Sequence, residues 1–490
     1  MSVSGTTSGD GVPGRGGGPG SAAWELLRPA VAAPARSRGR ALRSALREAV
    51  RSGRLAPGTR LPSSRDLAGD LGVSRGLVTE AYEQLTAEGY LRSDRGSGTW
   101  VGGAARAARP TARDRAPRRP GPGVDFQPGT PDLSLFPRTG WAATYRAVLA
   151  EVPHGALGYP DPGGSPRLRT ALAGLLARRR GVVADPQRLV VCSGVAQALT
   201  LVGLVLHARG ERAVGVEDPG SPPHGALFAA TGVRAVPLPV DGEGVALGPL
   251  AASGVRCVVT TPAHQFPLGI AYSARRRADL LEWARAVDGL VVEDDYDGDF
   301  RYDRSPVGAL QGLDPEHVLY AGSVSKSLAP GLRLGWLLAP ERLVDALVER
   351  KRTMDLGNPA VDQEVLARFV ESGAYDRQLR RCGRAYRERR DALVGAVREG
   401  FPGARVTGIS AGLHVIAALP GRFGPEARFL DRAEAAAVAV RPLSSYAEHA
   451  SSVPGDGAVR LVFGYAHLPP ARIVEGVRRL AAAVGAADGA

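Results

Sequence analysis

Lys326 is one of two lysines in a chain of 490 residues that carries 60 arginines. It follows the apolar run HVLYAG and sits among small hydroxyl residues, Ser323-Val324-Ser325-Lys326. Where arginine serves every generic positive charge, a lysine at a strand end suggests a task guanidinium cannot do. That task is condensation of a primary amine with a carbonyl to give a Schiff base. A second run, GLVVE, ends in Asp294-Asp295-Tyr296. Side chains alternate along a strand, so Asp294 and Tyr296 share one face while Glu293 and Asp295 share the other. A carboxylate on a protonated pyridine nitrogen, beside a phenol at the ring oxygen, is the electronic support that pyridoxal phosphate needs. Ser323, Ser325 and Arg333, with the helix N-terminus at Gly194, Val195 and Ala196, are candidates to hold its phosphate. Taken singly, Asp294 reads as a loop-end carboxylate and Lys326 as a surface lysine. Together, and in this order, they point to the cofactor. The other lysine, Lys351, lies in the charge-dense stretch ERLVDALVERKRTMDL and reads as a solvated helix residue.

These residues need a scaffold that brings them to one place. From about Val124 onward, short β-branched runs alternate with helical stretches, the pattern of an α/β fold with a mostly parallel sheet. Four runs end in polar tips: RLVVC into Ser193-Gly194-Val195, RCVVTT into PAHQFPLG, GLVVE into Asp294-Asp295-Tyr296, and HVLYAG into the lysine segment. Ligands in such sheets bind outside the carboxyl ends of the strands, so the four tips are expected to converge.

The N-terminal quarter has a different character. Residues 1–123 hold 20 basic against 10 acidic residues, whereas residues 124–490 are nearly balanced at 42 against 39. Such asymmetry suggests a polyanionic partner, nucleic acid first. ALRSALREAVRSGRL places Leu42, Ala45, Leu46 and Ala49 at helical spacing. Ser63 with Asp66 three residues on is a helix start, with Leu67 and Leu71 on its buried face. Gly72-Val73 turns the chain, and Ser74 caps a second helix whose inward positions are Val78, Ala81, Tyr82 and Leu85. Two short helices joined by a glycine turn make a helix-turn-helix, whose second helix enters the major groove N-terminal end first. That geometry aims Arg75, Gly76 and Thr79 at DNA, with Ser74 near a phosphate and Arg65 toward the backbone. RSDRGSGTWV then reads as a β-hairpin with Arg95 at its tip.

Three resemblances follow. SGRLAPGTRLPSSRDLAGDLGVSRGLVTEAYEQLTAEGYL with RGSGTWV resembles the GntR type of winged-helix bacterial regulators. From about Asp125 to the end, GYPDPGG, VEDPG, TPAHQFPLG, EDDYDGDFRY, SVSKSLAPGLRLGW and RLVFGY look like the fold-type-I aminotransferases. By that second resemblance Lys326 carries the cofactor, Asp294 pairs with its pyridine nitrogen, Tyr296 with its ring oxygen, and Arg333 binds its phosphate. It also implies that Arg460 pairs with a ligand carboxylate, and that Tyr159 reaches the phosphate of the partner subunit in a homodimer. The whole arrangement resembles the MocR group of bacterial regulators, whose body senses pyridoxal phosphate or an amino compound while the heads bind double-stranded operator DNA.

The expected fold class is therefore α/β, an N-terminal winged helix-turn-helix plus a pyridoxal-phosphate-dependent fold-type-I aminotransferase-like body. That body has a large, mostly parallel sheet and a smaller C-terminal α/β part. The expected organisation is a disordered tail at 1–24, the winged module at 25–103, an Arg/Pro/Gly linker at 104–123, and the body at 124–490.

Three departures from the enzyme pattern bear on activity. Phe266 stands before Pro267 where aminotransferases carry an asparagine to the ring oxygen, and the single asparagine, Asn358, lies far from that motif. Ser221 stands where an aromatic residue stacks on the ring. The glutamine expected at the phosphate helix is displaced from Ala196 to Gln197. A binder fits these losses better than a fast catalyst. A working aminotransferase with a DNA-binding head, and a regulator whose body is an inert dimerisation scaffold, remain the alternatives.

Three dispersed cysteines argue against a disulfide framework or a zinc site, and no metal-ligand set is expected. No apolar run approaches the roughly 18 residues of a membrane span. The N-terminus lacks the apolar core of a signal peptide, so a cytoplasmic protein without membrane contact is expected.

Overall fold

The computed structural model describes Trp24, Leu27 and residues 32–94, 98–103, 123–303, 307–449, 452 and 456–485. The chain divides into two compact units, residues 1–119 and 120–490. All of the expected tail but Trp24, most of the linker and Arg95 lie outside the described residues.

In the first unit, α1 (Arg38–Arg51), α2 (Ser64–Leu71) and α3 (Arg75–Ala87) surround one small core. Their sequences carry the start and stop signals at the expected places. The Ser63 hydroxyl accepts from Asp66 N–H at 3.2 Å, and the Ser74 hydroxyl from Leu77 N–H at 3.4 Å. Gly72, at φ 64°, closes α2 in the left-handed conformation that favours glycine. Leu42 and Leu46 of α1, Leu67 and Leu71 of α2, and Val78, Ala81, Tyr82 and Leu85 of α3 are all buried together. A three-stranded antiparallel sheet completes the wing, β1 (Arg60–Leu61), β3 (Gly98–Val101) and β2 (Leu91–Asp94) in that spatial order.

The second unit is built on an eight-stranded sheet of β4 (Leu189–Cys192), β5 (Ala213–Asp218), β6 (Arg234–Asp241), β7 (Gly244–Val245), β8 (Cys257–Thr260), β9 (Leu290–Asp294), β10 (Val318–Ser323) and β11 (Gly335–Leu338). Its spatial order is β4-β11-β10-β9-β8-β5-β6-β7. β10, β9, β8, β5 and β6 run parallel, while β11 is antiparallel to both of its neighbours. Both faces are covered, which is why these strands read as continuous apolar runs. Leu319 and Ala321 pack against α5 (Val195–Ala208) on one face. Tyr320 packs with Leu172 and Leu176 of α4 (Pro166–Arg180) on the other. A smaller antiparallel sheet, β12 (Arg405–Thr407), β13 (His414–Leu419), β15 (Val459–Gly464) and β14 (Arg441–Pro442), forms the C-terminal part.

Register fixes the business edge. Ser323 stands opposite Gly335, and Gly335 opposite Cys192, so the ends of β10 and β4 meet across the start of β11. Asp294 stands opposite Ala321 one strand further along. The four polar tips share this edge. Among the described residues no helix is long and apolar enough to cross a membrane.

Candidate functional site

Asp294 ends β9 with 6% of its surface exposed. Its Oδ2 lies 3.2 Å from His224 Nε2, while its Oδ1 is buried with no hydrogen-bond partner among the described residues. An orphaned buried carboxylate oxygen is costly, so it fits a donor that arrives from outside the protein. A protonated pyridine nitrogen is such a donor. His224 lies on a short helix, α6 (Pro222–Ala229), three residues after Ser221. His224→Phe should leave both carboxylate oxygens without a protein partner. A charge-assisted bond is worth about 1.5–3 kcal/mol, so pyridoxal phosphate affinity should fall on the order of tenfold or more in an absorbance titration. Unchanged affinity would mean that the imidazole does not orient Asp294.

Lys326 lies in the turn after β10 and its Nζ donates to the Gly129 carbonyl at 2.5 Å. Burial pushes its amine below the usual lysine range, against the opposing pull of Asp297 and Asp294. A larger neutral fraction makes the amine a better nucleophile. The Tyr296 hydroxyl is 3.1 Å from His264 Nδ1, which in turn lies 2.9 Å from Asp297 Oδ2. Burial, and then the Asp297 charge, raise the Tyr296 phenol well above its ordinary value, so it stays a neutral donor.

The phosphate side centres on Ser193-Gly194. Gly194 caps α5 with φ 88° and no side-chain cap bond, leaving the first helical N–H groups without that partner. A Cβ on Gly194 would sit 3.1 Å from the Arg333 guanidinium, which donates to the Ser193 carbonyl. Arg333 itself holds a left-handed φ of 50°. Ser325 N–H points at the Ser323 hydroxyl at 3.4 Å. Gly194, Val195, Ala196, Ser323, Ser325 and Arg333 therefore gather around the ends of β4 and β10. The residues present fit a phosphate-bearing pyridine aldehyde.

The other residues singled out in the sequence have settings of their own. Tyr159 is 90% exposed on this single chain. Arg460, in β15, is largely buried and pairs with Asp456 at 2.6 Å. Phe266 packs edge-on against Tyr296, His414 and Tyr446, with centroids 5.2–6.0 Å apart, and offers no polar atom. Gln197 Oε1 accepts from Ser193 N–H at 2.7 Å.

Lys351 corrects an expectation. It is fully buried, with Nζ 2.9 Å from Asp355, not solvated. Its helix, α7 (Glu341–Asp355), is rich in charge, but Lys351 lies on the face that carries Leu343 and Leu347 inward.

Sequence reasoning missed His224, His264, Asp297 and His414. His264, Asp297 and His414 are all buried and bring one ligand-type atom each within 4.8 Å of one another. Burial, then His264, push His414 down to about 3, so it is neutral, and its Nε2 faces the Pro267 carbonyl at 3.0 Å. The histidine in PAHQFP and the third aspartate in EDDYD were the only local signals.

In the first unit, Arg65, Ser74, Arg75 and Gly76 are exposed and Thr79 is half-buried. Arg75 and Thr79 line one groove with Ser63, Ser64 and Asp66 at the start of α2 and Thr99 of the wing. Arg60 and Arg92 flank the Trp100 ring at 5.8 and 5.9 Å, wing cations that the sequence pattern had not singled out.

A winged helix-turn-helix in one unit, and in the other a fold-type-I body with lysine, carboxylate and phosphate turn on one sheet edge, define a class: DNA-binding proteins with an aminotransferase-like body. Residues 39–101 match the bacterial regulatory proteins of the gntR family, and residues 130–480 match aminotransferase class I and II. A probable rhizopine catabolism regulatory protein, MocR, of Rhizobium meliloti is 32% identical over 91% of this chain and 93% of its own. The pyridoxine biosynthesis transcriptional regulator PdxR of Corynebacterium glutamicum is 32% identical over 76% of this chain and 81% of its own. The multiple substrate aminotransferase of Thermococcus profundus superposes with a TM-score of 0.66 at 28% identity, covering 74% of this chain and 91% of that one. The chain belongs to the MocR-type family of transcription regulators, in which a GntR-type DNA-binding domain is fused to an aminotransferase class I/II body. The cofactor this body implies is pyridoxal phosphate.

Proposed function

We propose that this protein regulates transcription by reading pyridoxal phosphate, an amino compound, or both, through its aminotransferase-like body. Lys326 is the amine that holds the cofactor as a Schiff base. Asp294 takes the pyridine nitrogen and Tyr296 the ring oxygen. Arg333, Ser323, Ser325 and the turn at Gly194, Val195 and Ala196 take the phosphate. The observation that carries this function is the buried, unpartnered Asp294 Oδ1 on the sheet edge that also holds Lys326, in a chain headed by a winged helix-turn-helix. The cofactor supplies an electrophilic carbonyl and an electron-withdrawing ring.

Phe266 and Ser221 support sensing over turnover. Neither a donor at residue 266 nor a ring at residue 221 steadies the cofactor's electronics. Arg460 is the candidate for an effector carboxylate, which would have to displace Asp456. The exposed Tyr159 suits a homodimer in which it reaches the partner's phosphate. The functional organisation is a winged module at 25–103, a linker at 104–123 and the sensing body at 124–490, acting in the cytoplasm.

In the head, Arg75, Gly76 and Thr79 face the base edges and Ser74 and Arg65 the phosphates, with Arg95 as a further DNA contact from the sequence. Operator binding measured with and without pyridoxal phosphate, across a panel of amino acids, tests the function directly. Wild-type affinity or DNA bending should change with at least one of these ligands; a response to none would overturn ligand sensing. Arg75→Ala should weaken operator binding about tenfold or more, since a base-edge contact is worth roughly 1–3 kcal/mol. Unchanged affinity would move the recognition surface elsewhere.

A further inference from the structure

The second lysine of the chain has no place in the chemistry described so far, yet it is fully buried. A buried ammonium is retained only when it is paired and hydrogen-bonded. Lys351 Nζ donates to both oxygens of Asp355 at 2.9 Å and lies 3.5 Å from Gln197 Oε1, 154 residues away in sequence. Gln197 is held at both ends of its amide. Its Nε2 donates to Asp355 Oδ2 at 2.5 Å, while its Oε1 accepts from Ser193 N–H at 2.7 Å. Asp355 Oδ1 also accepts from Gly357 N–H at 2.9 Å, fixing the loop that presents Asn358. Asn358 Nδ2 donates to the Ser193 hydroxyl at 3.0 Å. Each polar atom of Ser193 is thus bonded by a different residue: its N–H by Gln197, its hydroxyl by Asn358, its carbonyl by Arg333. Two of those three tethers start from the Lys351–Asp355 pair.

We infer that Lys351 is a positioning residue for the phosphate turn, fixing Gln197 and the Asn358 loop so that Ser193-Gly194 keeps the α5 N-terminus open to a dianion. This rests on the assignment of pyridoxal phosphate to the Lys326 edge. Lysine suits the task where arginine does not. A compact ammonium on a slim stem can be swallowed whole, whereas a planar fork with five donors would need more partners than Asp355 and Gln197 supply. Removing Lys351 would leave the Asp355 carboxylate without its counter-charge and free the Gln197 amide to turn over.

The test compares pyridoxal phosphate with pyridoxal, which lacks the phosphate, by absorbance titration of the full chain. For wild type, both ligands set the reference affinities. Lys351→Met and Lys351→Arg should each weaken pyridoxal phosphate about tenfold or more while changing pyridoxal less than about twofold. Gln197→Ala leaves the buried ion pair intact and should show the same selective loss, so the outcome does not depend on Lys351 variants folding. Equal losses for the two ligands, or unchanged pyridoxal phosphate affinity in Gln197→Ala, would overturn the positioning role. Failure of the wild type to bind pyridoxal phosphate at all would instead overturn the cofactor assignment on which it rests.

Discussion

Lys326→Ala is expected to lose all covalently held pyridoxal phosphate. The Schiff-base absorption band should vanish, leaving at most the band of the free aldehyde, and after borohydride reduction mass spectrometry should find the cofactor on the wild-type Lys326 peptide and nowhere on the variant. The effect is all-or-none because, among the described residues, no second free amine lies at that edge. Lys351 is committed to Asp355, and arginine cannot condense with an aldehyde at neutral pH. Burial supports the same expectation, since it lowers the Lys326 amine and enlarges its neutral, nucleophilic fraction. Non-covalent binding should survive in part, because Asp294, Arg333 and the Gly194 turn are untouched. A band that persists unchanged in Lys326→Ala would place the Schiff base on another residue.

The largest loss of stability is expected from Arg180→Ala. Arg180 ends α4 and forms an ion pair with Asp295, each side chain only 2% exposed. Asp295 also accepts from the Tyr320 hydroxyl at 2.6 Å, and Arg180 reaches the Gly298 carbonyl at 3.2 Å. Removing one partner of such a pair strands the other charge away from water, at a cost of about 3–5 kcal/mol. Urea unfolding should show the midpoint fall accordingly. Replacing Arg180 and Asp295 together with apolar residues of similar volume should cost much less, because no uncompensated charge remains. A single variant as stable as wild type would show that water or a neighbouring group already compensates Asp295. The pair matters for the site because Asp295 is the residue after Asp294. Its anchorage on one side of the strand end fixes the direction in which Asp294 faces on the other.

Much of this was legible from local pattern. The face alternation in Glu293-Asp294-Asp295-Tyr296 predicted two diverging pairs. Glu293 turns to the Leu310 and Gln311 N–H groups and Asp295 to Arg180, while Asp294 meets His224 and Tyr296 meets His264. The helix-turn-helix was equally plain. Its caps, its glycine turn and its inward face are all set within a few residues of one another, and short-range rules govern them.

What local pattern missed was set by long-range contact. His224 lies 70 residues before the Asp294 it orients, and nothing in PGSPPHG announces it. Gln197 reads in sequence as one position out of place at the phosphate helix; in the structure its Oε1 accepts from Ser193 N–H. Lys351 looked solvated because its neighbours in sequence are charged; its neighbours in space are Asp355 and Gln197.

By itself, the sequence determined that a basic DNA-reading head precedes a nearly neutral α/β body, and that one lysine among sixty arginines stands where a nucleophilic amine is useful. Those features depend on composition, periodicity and spacing, which the chain carries before it folds. Only the tertiary structure decided what orients Asp294, what holds Ser193, and that the second lysine is buried. Each of these depends on bringing distant segments together and excluding water from polar groups, and the cost of leaving such groups unpaired selects their partners in three dimensions.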